Sequence, residues 1–305
     1  MKKKIYLEGT TVKVIYPDIN FFLNKIRENT PFKFLKVMHG TFDGIAAVYK
    51  GKMNELENLI KAEDYETIGR EVALSKSSRL QSGLDFWHDK DPDLTPKYTT
   101  MVKVLHQYKN LSDNLMIGLS LGVGLGKFWG VHDHSHPVQV ARRQISGILD
   151  NNTYHTYFYG GLFKHYTIKD ESYYLFDVLN QLGYNVGFFG PEYFSRYGDV
   201  FNIKNFTHLQ IPVKGAIQDL DNQVNRIRKF AENSPTPTIV FLQCGHLMAS
   251  NIVYQLKDEN ITIIDAGRSF DLLLKDEVDQ HDTMWRCWTG LSPEGLENYV
   301  DKTRE

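Results

Sequence analysis

Short apolar runs alternate with longer amphipathic segments along most of this chain. The runs that predict strands are FKFLKVM, NLMIGLSL, TYHTYFY, YNVGFFG, HLQIPV, TIVFLQCG and ITIIDAG. The segments that predict helices are YTTMVKVLHQYKN, VQVARRQISGIL, ESYYLFDVLNQLG, DLDNQVNRIRKFAEN and HLMASNIVYQLKDEN. Strands that alternate with helices of this length predict an α/β fold of the Rossmann-like kind, with a mostly parallel central sheet and helices on both faces.

The beginning of the chain has a different pattern. KIYLEG and TVKVIYP predict a short hairpin, and DINFFLNKIREN predicts a helix opened by Asp18. Further on, the polar region from Gly51 to Lys97 contains HDKDPDLTPK, whose charges and turn residues predict a surface excursion. No linker or internal repeat divides the chain. We therefore predict one domain over residues 1–305, with residues 1–30 as a hairpin and helix extension and residues 276–305 as a tail.

Composition narrows the functional classes. The 305 residues are 42% hydrophobic and 13% aromatic, which is enough for a substantial core. With 35 Lys and Arg against 37 Asp and Glu, the formal charge of −2 gives no overall attraction to nucleic acid or an anionic membrane. We find no signal sequence or membrane span, and Cys244 and Cys287 do not have the spacing of a disulfide framework. We expect a cytoplasmic protein, in a bacterium or in the host cytoplasm if a phage encodes it.

Candidate chemistry lies where the predicted strands end, because ligands of open α/β sheets bind beyond the carboxyl ends of the strands. TIVFLQC is followed by Gly245 and His246 at a helix start, where a close backbone approach and free amides favour a diphosphate. ITII is followed by Asp265, Gly267 and Arg268, a second polar group at the same predicted edge. The alternative for Gly245 is a simple chain turn.

Two further strand ends carry weaker signals. GLSLGVGLGKFWG, residues 118–130, does not have the glycine spacing of a P-loop or a dinucleotide loop, but it offers backbone amides and Lys127 to an anion. A tight turn without a ligand is the alternative. GFFGPEYF places Glu192 after a strand, where it would bind a sugar hydroxyl or only favour the start of a helix.

A histidine-rich loop, VHDHSHPVQVARRQ, places His132, His134 and His136 at alternate positions. Alternation puts them on one side of an extended segment, as in some zinc sites. We favour a solvated or substrate-facing loop, since we identify no further ligands at set positions. Arg142 and Arg143 follow one turn into the predicted helix, where they face a phosphate or water.

Several short segments occur in a characteristic order along the chain. These are His39-Gly40-Thr41-Phe42-Asp43, Gly190-Pro191-Glu192, Ile211-Pro212, Gly245 and Asp265-Ala266-Gly267. Over most of residues 32–275 this order resembles the GT-D glycosyltransferases, which are built on the domain of unknown function 1792. The resemblance implies transfer of a sugar from a nucleotide-sugar donor, with a UDP-sugar among the candidates, to a hydroxyl acceptor.

The first of these segments departs from the family pattern, in which an Asp-x-Glu pair holds the nucleotide sugar and its divalent metal. Here Gly40 keeps its place, Thr41 replaces the Asp and Asp43 replaces the Glu. The resemblance therefore implies an Mn²⁺ or Mg²⁺ site with Asp43 as its ligand and His39 beside it. The alternatives are a shifted register that pairs Asp43-Gly44-Ile45 with Asp-Gly-Glu, and a helix N-cap at Asp43.

The resemblance also suggests roles for the other candidates. The catalytic base would be Asp43, His39 or Glu192. The donor-binding residues would be Gly40, Thr41, Lys127, Gly245, His246, Asp265, Gly267 and Arg268. The acceptor would be a surface glycan or glycoprotein, or a hydroxymethylated base in phage DNA. The acceptor-binding residues would be His132, His134, His136, Arg142 and Arg143.

Two other classes of protein remain open from the sequence. A non-catalytic nucleotide-binding or regulatory protein would explain the loss of the paired acids. A metal hydrolase built on the histidine loop is the third hypothesis. The sequence does not define the oligomeric state.

Overall fold

The computed structural model describes residues 2–7, 10–15, 17–37, 45, 48–49, 51–75, 94–119, 156–159, 161–212 and 215–274. Its strands are β1 (Lys2–Leu7), β2 (Thr10–Ile15), β3 (Lys33–Val37), β4 (Leu115–Leu119), β5 (Thr156–Tyr159), β6 (Asn185–Gly190), β7 (Phe206–Gln210), β8 (Thr238–Leu242) and β9 (Thr262–Asp265). Its α-helices are α1 (Asn20–Arg27), α2 (Met53–Lys61), α3 (Tyr65–Leu74), α4 (Thr95–Leu111), α5 (Leu162–Ile168), α6 (Glu171–Gln181), α7 (Tyr197–Val200), α8 (Leu220–Glu232) and α9 (His246–Gln255).

The strands within these ranges form one sheet in the order β1-β2-β5-β4-β3-β9-β8-β6-β7. β1 pairs with β2 antiparallel, and the other described neighbours pair parallel. The predicted hairpin therefore joins the edge of the sheet through β2 and β5. The predicted α/β class, with a mostly parallel central sheet, is confirmed.

Helices cover both faces of the sheet. On the first face, buried side chains from α2, α3, α4, α8 and α9 form one apolar cluster with the strands. On the second face, α1, α5, α6 and α7 form another. The chain passes from β7 through β8 to β9 over the first face and from β5 through β6 to β7 over the second. These crossovers run in opposite directions along the sheet, so they share one handedness, as parallel connections do.

The middle strands are buried on both faces, which explains their apolar sequences. All five residues of β8 are buried, and Ile239, Val240 and Leu242 are completely inaccessible. Helix α9 is buried from Leu247 to Val253 because it packs against both the sheet and α4. A continuous apolar run is the pattern of a strand or helix covered all round.

The polar region from Gly51 to Lys97 contains two helices, α2 and α3, that the sequence pattern did not predict. In α2 and α3, Leu56, Ile60, Ile68 and Val72 are buried against the first face. Asp64 caps α3, accepting a hydrogen bond from the Thr67 amide at 3.0 Å. Most of HDKDPDLTPK lies outside the described residues, and α4 begins at Thr95, earlier than predicted. Helix α5 was not predicted either, and the predicted helix VQVARRQISGIL lies outside the described part of the chain.

The helix at the start of the chain begins later than predicted. Asp18 does not cap it: α1 starts at Asn20 with Ile19 in the cap position. Asp18 instead accepts a hydrogen bond from the Asn20 amide at 2.8 Å, which closes the turn before the helix.

Candidate active site at the carboxyl edge of the sheet

The predicted site residues divide into two groups. Those within the described residues are Glu192, Gly245, His246, Asp265, Gly267 and Arg268. Those outside them are His39, Gly40, Thr41, Asp43, Lys127, His132, His134, His136, Arg142 and Arg143. The described group lies in the turns that follow β6, β8 and β9.

The turns after β8 and β9 touch each other. The Gly267 amide donates a hydrogen bond to the carbonyl of Leu242, the last residue of β8, at 3.1 Å. Gly245 precedes the first turn of α9 with φ 75°, and Gly267 has φ 51°. Both values lie where L side chains are strained, so glycine is favoured at both turns. The structure therefore brings together the two polar groups that the sequence places at one edge.

Asp265 holds the turn after β9 in place. Its carboxylate accepts hydrogen bonds from the amide of Lys36 on β3, at 3.3 Å, and from the amide of Gly267, at 3.2 Å. Burial raises the pKa of Asp265 to about 7, although the positive charge of Lys36 and these two amides oppose the rise. The carboxylate oxygens of Asp265 are engaged within the protein, where they fix the turn after β9 against β3.

Lys36 is a charged side chain at this edge that was not predicted from the sequence. It lies in the middle of the sheet, on β3, and is only 7% exposed. A Cβ on Gly267 would lie 3.4 Å from its Nζ, so the lysine side chain packs across the turn after β9. Burial lowers the pKa of Lys36, and the carboxylates of Asp265 and Asp271 oppose this. The available signal was a lysine near the carboxyl end of a strand whose neighbouring residues, Leu35 and Val37, are apolar.

Asp271 connects three turns at this edge. It was not among the site residues predicted from the sequence. It is 2% exposed, and its Oδ2 accepts a hydrogen bond from Nε of Arg268 at 2.7 Å. Its Oδ1 accepts from the Tyr197 hydroxyl at 3.0 Å, and the Tyr193 hydroxyl lies 3.4 Å from both oxygens. Tyr193 also donates to Oε1 of Gln243, just after β8, at 3.1 Å. The turns after β6, β8 and β9 are therefore connected by side chains.

Lys164 comes from the first turn of α5, just beyond β5. Its pKa is lowered to about 7, first by burial and then by the positive charges of Lys36 and Arg268, while Asp271 opposes the shift. We call Lys36, Lys164, Asp265, Arg268 and Asp271 the strand-end cluster.

Glu192 lies beside this cluster. It is exposed and opens a 3₁₀ turn, Glu192–Arg196, directly after Pro191. The next residue, Tyr193, hydrogen-bonds to Gln243 and lies beside Asp271. The backbone of Glu192 is therefore fixed near the cluster while its side chain faces solvent.

The strand-end cluster does not fit a divalent metal. Mg²⁺ and Mn²⁺ prefer several carboxylate or carbonyl oxygens. The carboxylates of Asp265 and Asp271 accept hydrogen bonds from protein donors and lie among cations. Within the described residues, no group of three or more His, Cys, Asp and Glu side chains could hold a metal. Asp43, the predicted metal ligand, lies outside these residues.

Comparisons with known proteins give structural neighbours only. No protein-family model and no curated protein sequence matches this chain. A glycosyltransferase of the domain of unknown function 1792 from Streptococcus sanguinis is 18% identical, over 86% of this chain and 84% of its own, with a TM-score of 0.48. A selenomethionine-substituted structure of the same domain is also 18% identical, over 83% and 77% of the two chains, with a TM-score of 0.45. Both neighbours contain the domain that the sequence motifs resemble. Among the helices of the described residues, none is long and apolar enough to span a membrane.

Proposed function

We propose that this protein is a glycosyltransferase that moves a sugar from a nucleotide-sugar donor to an acceptor hydroxyl. The observation that carries the proposal is the hydrogen bond from the Gly267 amide to the Leu242 carbonyl. It sets the glycine turn at the start of α9 beside the Asp265–Arg268 turn, at the edge where open α/β sheets bind ligands. The order of the sequence motifs supports the same activity.

The chemistry requires stabilisation of a leaving diphosphate. The acceptor oxygen forms a bond to the anomeric carbon, the bond from that carbon to the diphosphate oxygen breaks, and a base takes the acceptor proton. Negative charge grows on the diphosphate in the transition state. The amides at the start of α9, near Gly245, and the guanidinium of Arg268 are suited to this task. One well-placed donor is worth about 3 to 4 kcal/mol of transition-state stabilisation.

The catalytic base and the metal remain sequence-based proposals. His39, Asp43 and Glu192 are the candidate bases, and Glu192 is exposed at the edge of the site. Asp43 is the residue that we propose as a ligand of Mn²⁺ or Mg²⁺, with His39 beside it. A bound metal would neutralise charge on the leaving diphosphate. Loss of transfer in Asp43→Ala and in the presence of a chelator would support this assignment.

For the acceptor, we propose a surface glycan or glycoprotein, made in the cytoplasm. Support comes from the family resemblance and from the formal charge of −2, which gives no overall attraction to DNA. A modified DNA acceptor, contacted by the histidine loop and by Arg142 and Arg143, makes a different prediction. Binding to DNA would then weaken steeply as salt is raised.

A thermal-shift panel of nucleotide sugars, with and without Mn²⁺, tests the donor. A donor at 100 times its Kd adds about 2.7 kcal/mol of stability, which is readily measured. Transfer or slow hydrolysis of the stabilising donor then tests the reaction. Binding of a nucleotide without turnover of any donor would favour the non-catalytic alternative. Stoichiometric zinc that is lost on substitution of His132, His134 and His136 would favour the hydrolase.

A further inference from the structure

The strand-end cluster gathers cations from three distant parts of the chain. Lys36 comes from β3, Lys164 from α5 and Arg268 from the turn after β9. They lie at one edge of the sheet because β5, β4, β3 and β9 are parallel neighbours, and Lys164 interacts electrostatically with both Lys36 and Arg268. Lys36 packs across Gly267, and Arg268 follows directly in the chain.

The carboxylates of the cluster position Lys36 and Arg268. Asp265 fixes the backbone of both β3 and the turn after β9 through the amides of Lys36 and Gly267. Asp271 binds Nε of Arg268 at 2.7 Å and is itself held by Tyr193 and Tyr197. The guanidinium plane is thus oriented before any ligand arrives, which reduces the entropy lost on binding.

We propose that Lys36, Lys164 and Arg268 bind the diphosphate of the donor directly, as a site built from protein cations. The inference rests on the proposed function and identifies the group that this edge of the sheet recognises. It does not depend on the metal proposed at Asp43.

Accessibility supports the assignment. The Arg268 side chain is 39% exposed and lies at the mouth of the cluster. Lys164 is partly buried, and Lys36 is 7% exposed at its base. An anion entering from solvent would therefore meet Arg268 first and Lys36 last. In a site shielded from water, charge-assisted hydrogen bonds to a phosphate are stronger than on the surface.

The charges of the strand-end cluster also favour the binding of an anion. Lys164 lies within range of the positive charges of Lys36 and Arg268 and of the negative charge of Asp271. Burial, and after it the positive charges of Lys36 and Arg268, lower its pKa to about 7, so an uncompensated positive charge is unfavourable at this position. A bound diphosphate would reverse that preference, raise the pKa of Lys164 and draw a proton from solvent.

Titration calorimetry with inorganic pyrophosphate in the presence of a chelator tests the proposal. We expect binding by the wild-type protein and affinity about 10-fold weaker in Lys164→Met and in Arg268→Met. Lys164→Arg, which keeps the charge, should retain most of the affinity. Lys229→Met is the matched control, because Lys229 is exposed on α8 over the opposite face. Near neutral pH, buffers of different ionisation enthalpy should report proton uptake in the wild type and less in Lys164→Met.

Other results of the calorimetry would contradict either this proposal or the proposed function. Unchanged affinity in both methionine variants would overturn the proposal, provided that thermal melts show all variants folded. Pyrophosphate binding that appears only with added Mn²⁺ would also overturn it, since the anion would then be held through a metal, while leaving the glycosyltransferase intact. Conversely, metal-free binding that is lost in the variants, without turnover of any nucleotide sugar, would support the anion site and reject the proposed function.

Discussion

The Tyr197 hydroxyl donates a hydrogen bond to Oδ1 of Asp271 at 3.0 Å and so joins the helix after β6 to the turn after β9. Both side chains are buried, with Tyr197 fully inaccessible and Asp271 2% exposed. Their contact ties the outer half of the sheet to the candidate site. Burial, and after it the negative charge of Asp271, raises the pKa of Tyr197 far above its ordinary value, so the phenol remains a donor at physiological pH.

Removal of this hydroxyl should destabilise the protein. Tyr197→Phe removes the shorter of the two hydroxyl contacts to Oδ1 of the buried Asp271 carboxylate and leaves only the Tyr193 hydroxyl at 3.4 Å, at a cost of about 1 to 3 kcal/mol. Urea denaturation measures the loss. Tyr173→Phe is the matched control, since Tyr173 is 40% exposed on α6, and a change within about 0.5 kcal/mol is expected there. Equal stabilities for the two variants would show that the contact contributes nothing.

The buried Asp265 should make stability fall as the pH rises. Its folded pKa of about 7 lies above the ordinary Asp value of about 3.9, so the folded state binds a proton that the unfolded state releases. The stabilisation is complete below about pH 4 and is lost as the pH rises through about 7. Asp265→Asn removes this slope.

Denaturation curves at about pH 5 and about pH 8 check the prediction. The asparagine adds a constant cost, because its amide cannot accept from both backbone donors. The wild type should therefore lose stability relative to Asp265→Asn between the lower and the higher pH. Parallel pH profiles would mean that Asp265 is already ionised at low pH.

Lys164 should make stability rise as the pH rises, which is opposite to the effect of Asp265. Its folded pKa of about 7 lies below the ordinary Lys value of about 10.4, so the unfolded state binds more protons between these values. The cost of the buried charge is present below pH 7 and is relieved as the pH rises above it. Lys164→Met should be more stable than the wild type in mild acid, and this advantage should shrink in alkali. Lys229→Met is the control for the loss of an exposed lysine, and its stability is measured at the same pH values.

Substitution of Gly267 distinguishes the stability cost of backbone strain from an effect on ligand binding. Gly267→Ala places a side chain at φ 51°, where it costs about 1 kcal/mol, while its Cβ would meet Nζ of Lys36 at an ordinary distance of 3.4 Å. Gly183→Ala is the control, at φ 70° with open space around the new Cβ and at the amino end of β6. Both variants should lose similar stability in denaturant. Only Gly267→Ala should weaken pyrophosphate binding, and equal binding by both would remove Gly267 from the site.

The sequence predicted the strands near the site because their environment is simple. The residues TIVFL and TIID are buried on both faces, and turn glycines or polar residues follow each. Helices α2 and α3 were missed because charged residues dominate their exposed faces. The spacing of Leu56 and Ile60, and of Ile68 and Val72, four residues apart in each helix, was nevertheless a helical signal.

The candidate site was predicted only where it depends on local sequence. Asp265, Gly267 and Arg268 were selected because polar residues follow an apolar strand. Lys36 and Asp271 were not, because the role of Lys36 depends on β3 lying next to β9, and the role of Asp271 depends on the turn after β6 lying beside the turn after β9. The backbone of Lys36 and the carboxylate of Asp265 meet across 229 residues of chain. A local sequence pattern does not give the order of strands in a sheet, so contacts between such distant residues can be identified only from the folded structure.

β3 contains two buried lysines, Lys33 and Lys36, and substitutions at the two positions distinguish an effect of burial from an effect on ligand binding. Lys33 is 2% exposed at the amino end of the strand, where its Nζ donates to the Glu259 carbonyl at 2.5 Å. Burial lowers its pKa to about 8, against the negative charges of Glu259 and Asp258. Lys33→Met removes both a desolvated charge and its hydrogen bond, so we expect a net stability change below about 2 kcal/mol.

Lys36→Met should differ from Lys33→Met in its effect on ligands. Lys36 lies at the carboxyl end of the same strand, beside Gly267, and its removal should weaken pyrophosphate binding about 10-fold. Lys33→Met should bind pyrophosphate like the wild type, because the substitution lies at the opposite end of the sheet. Calorimetry on both variants, with denaturation curves to establish that each is folded, makes the comparison. Equal affinities would show that the charge at the end of β3 serves the fold and not the donor.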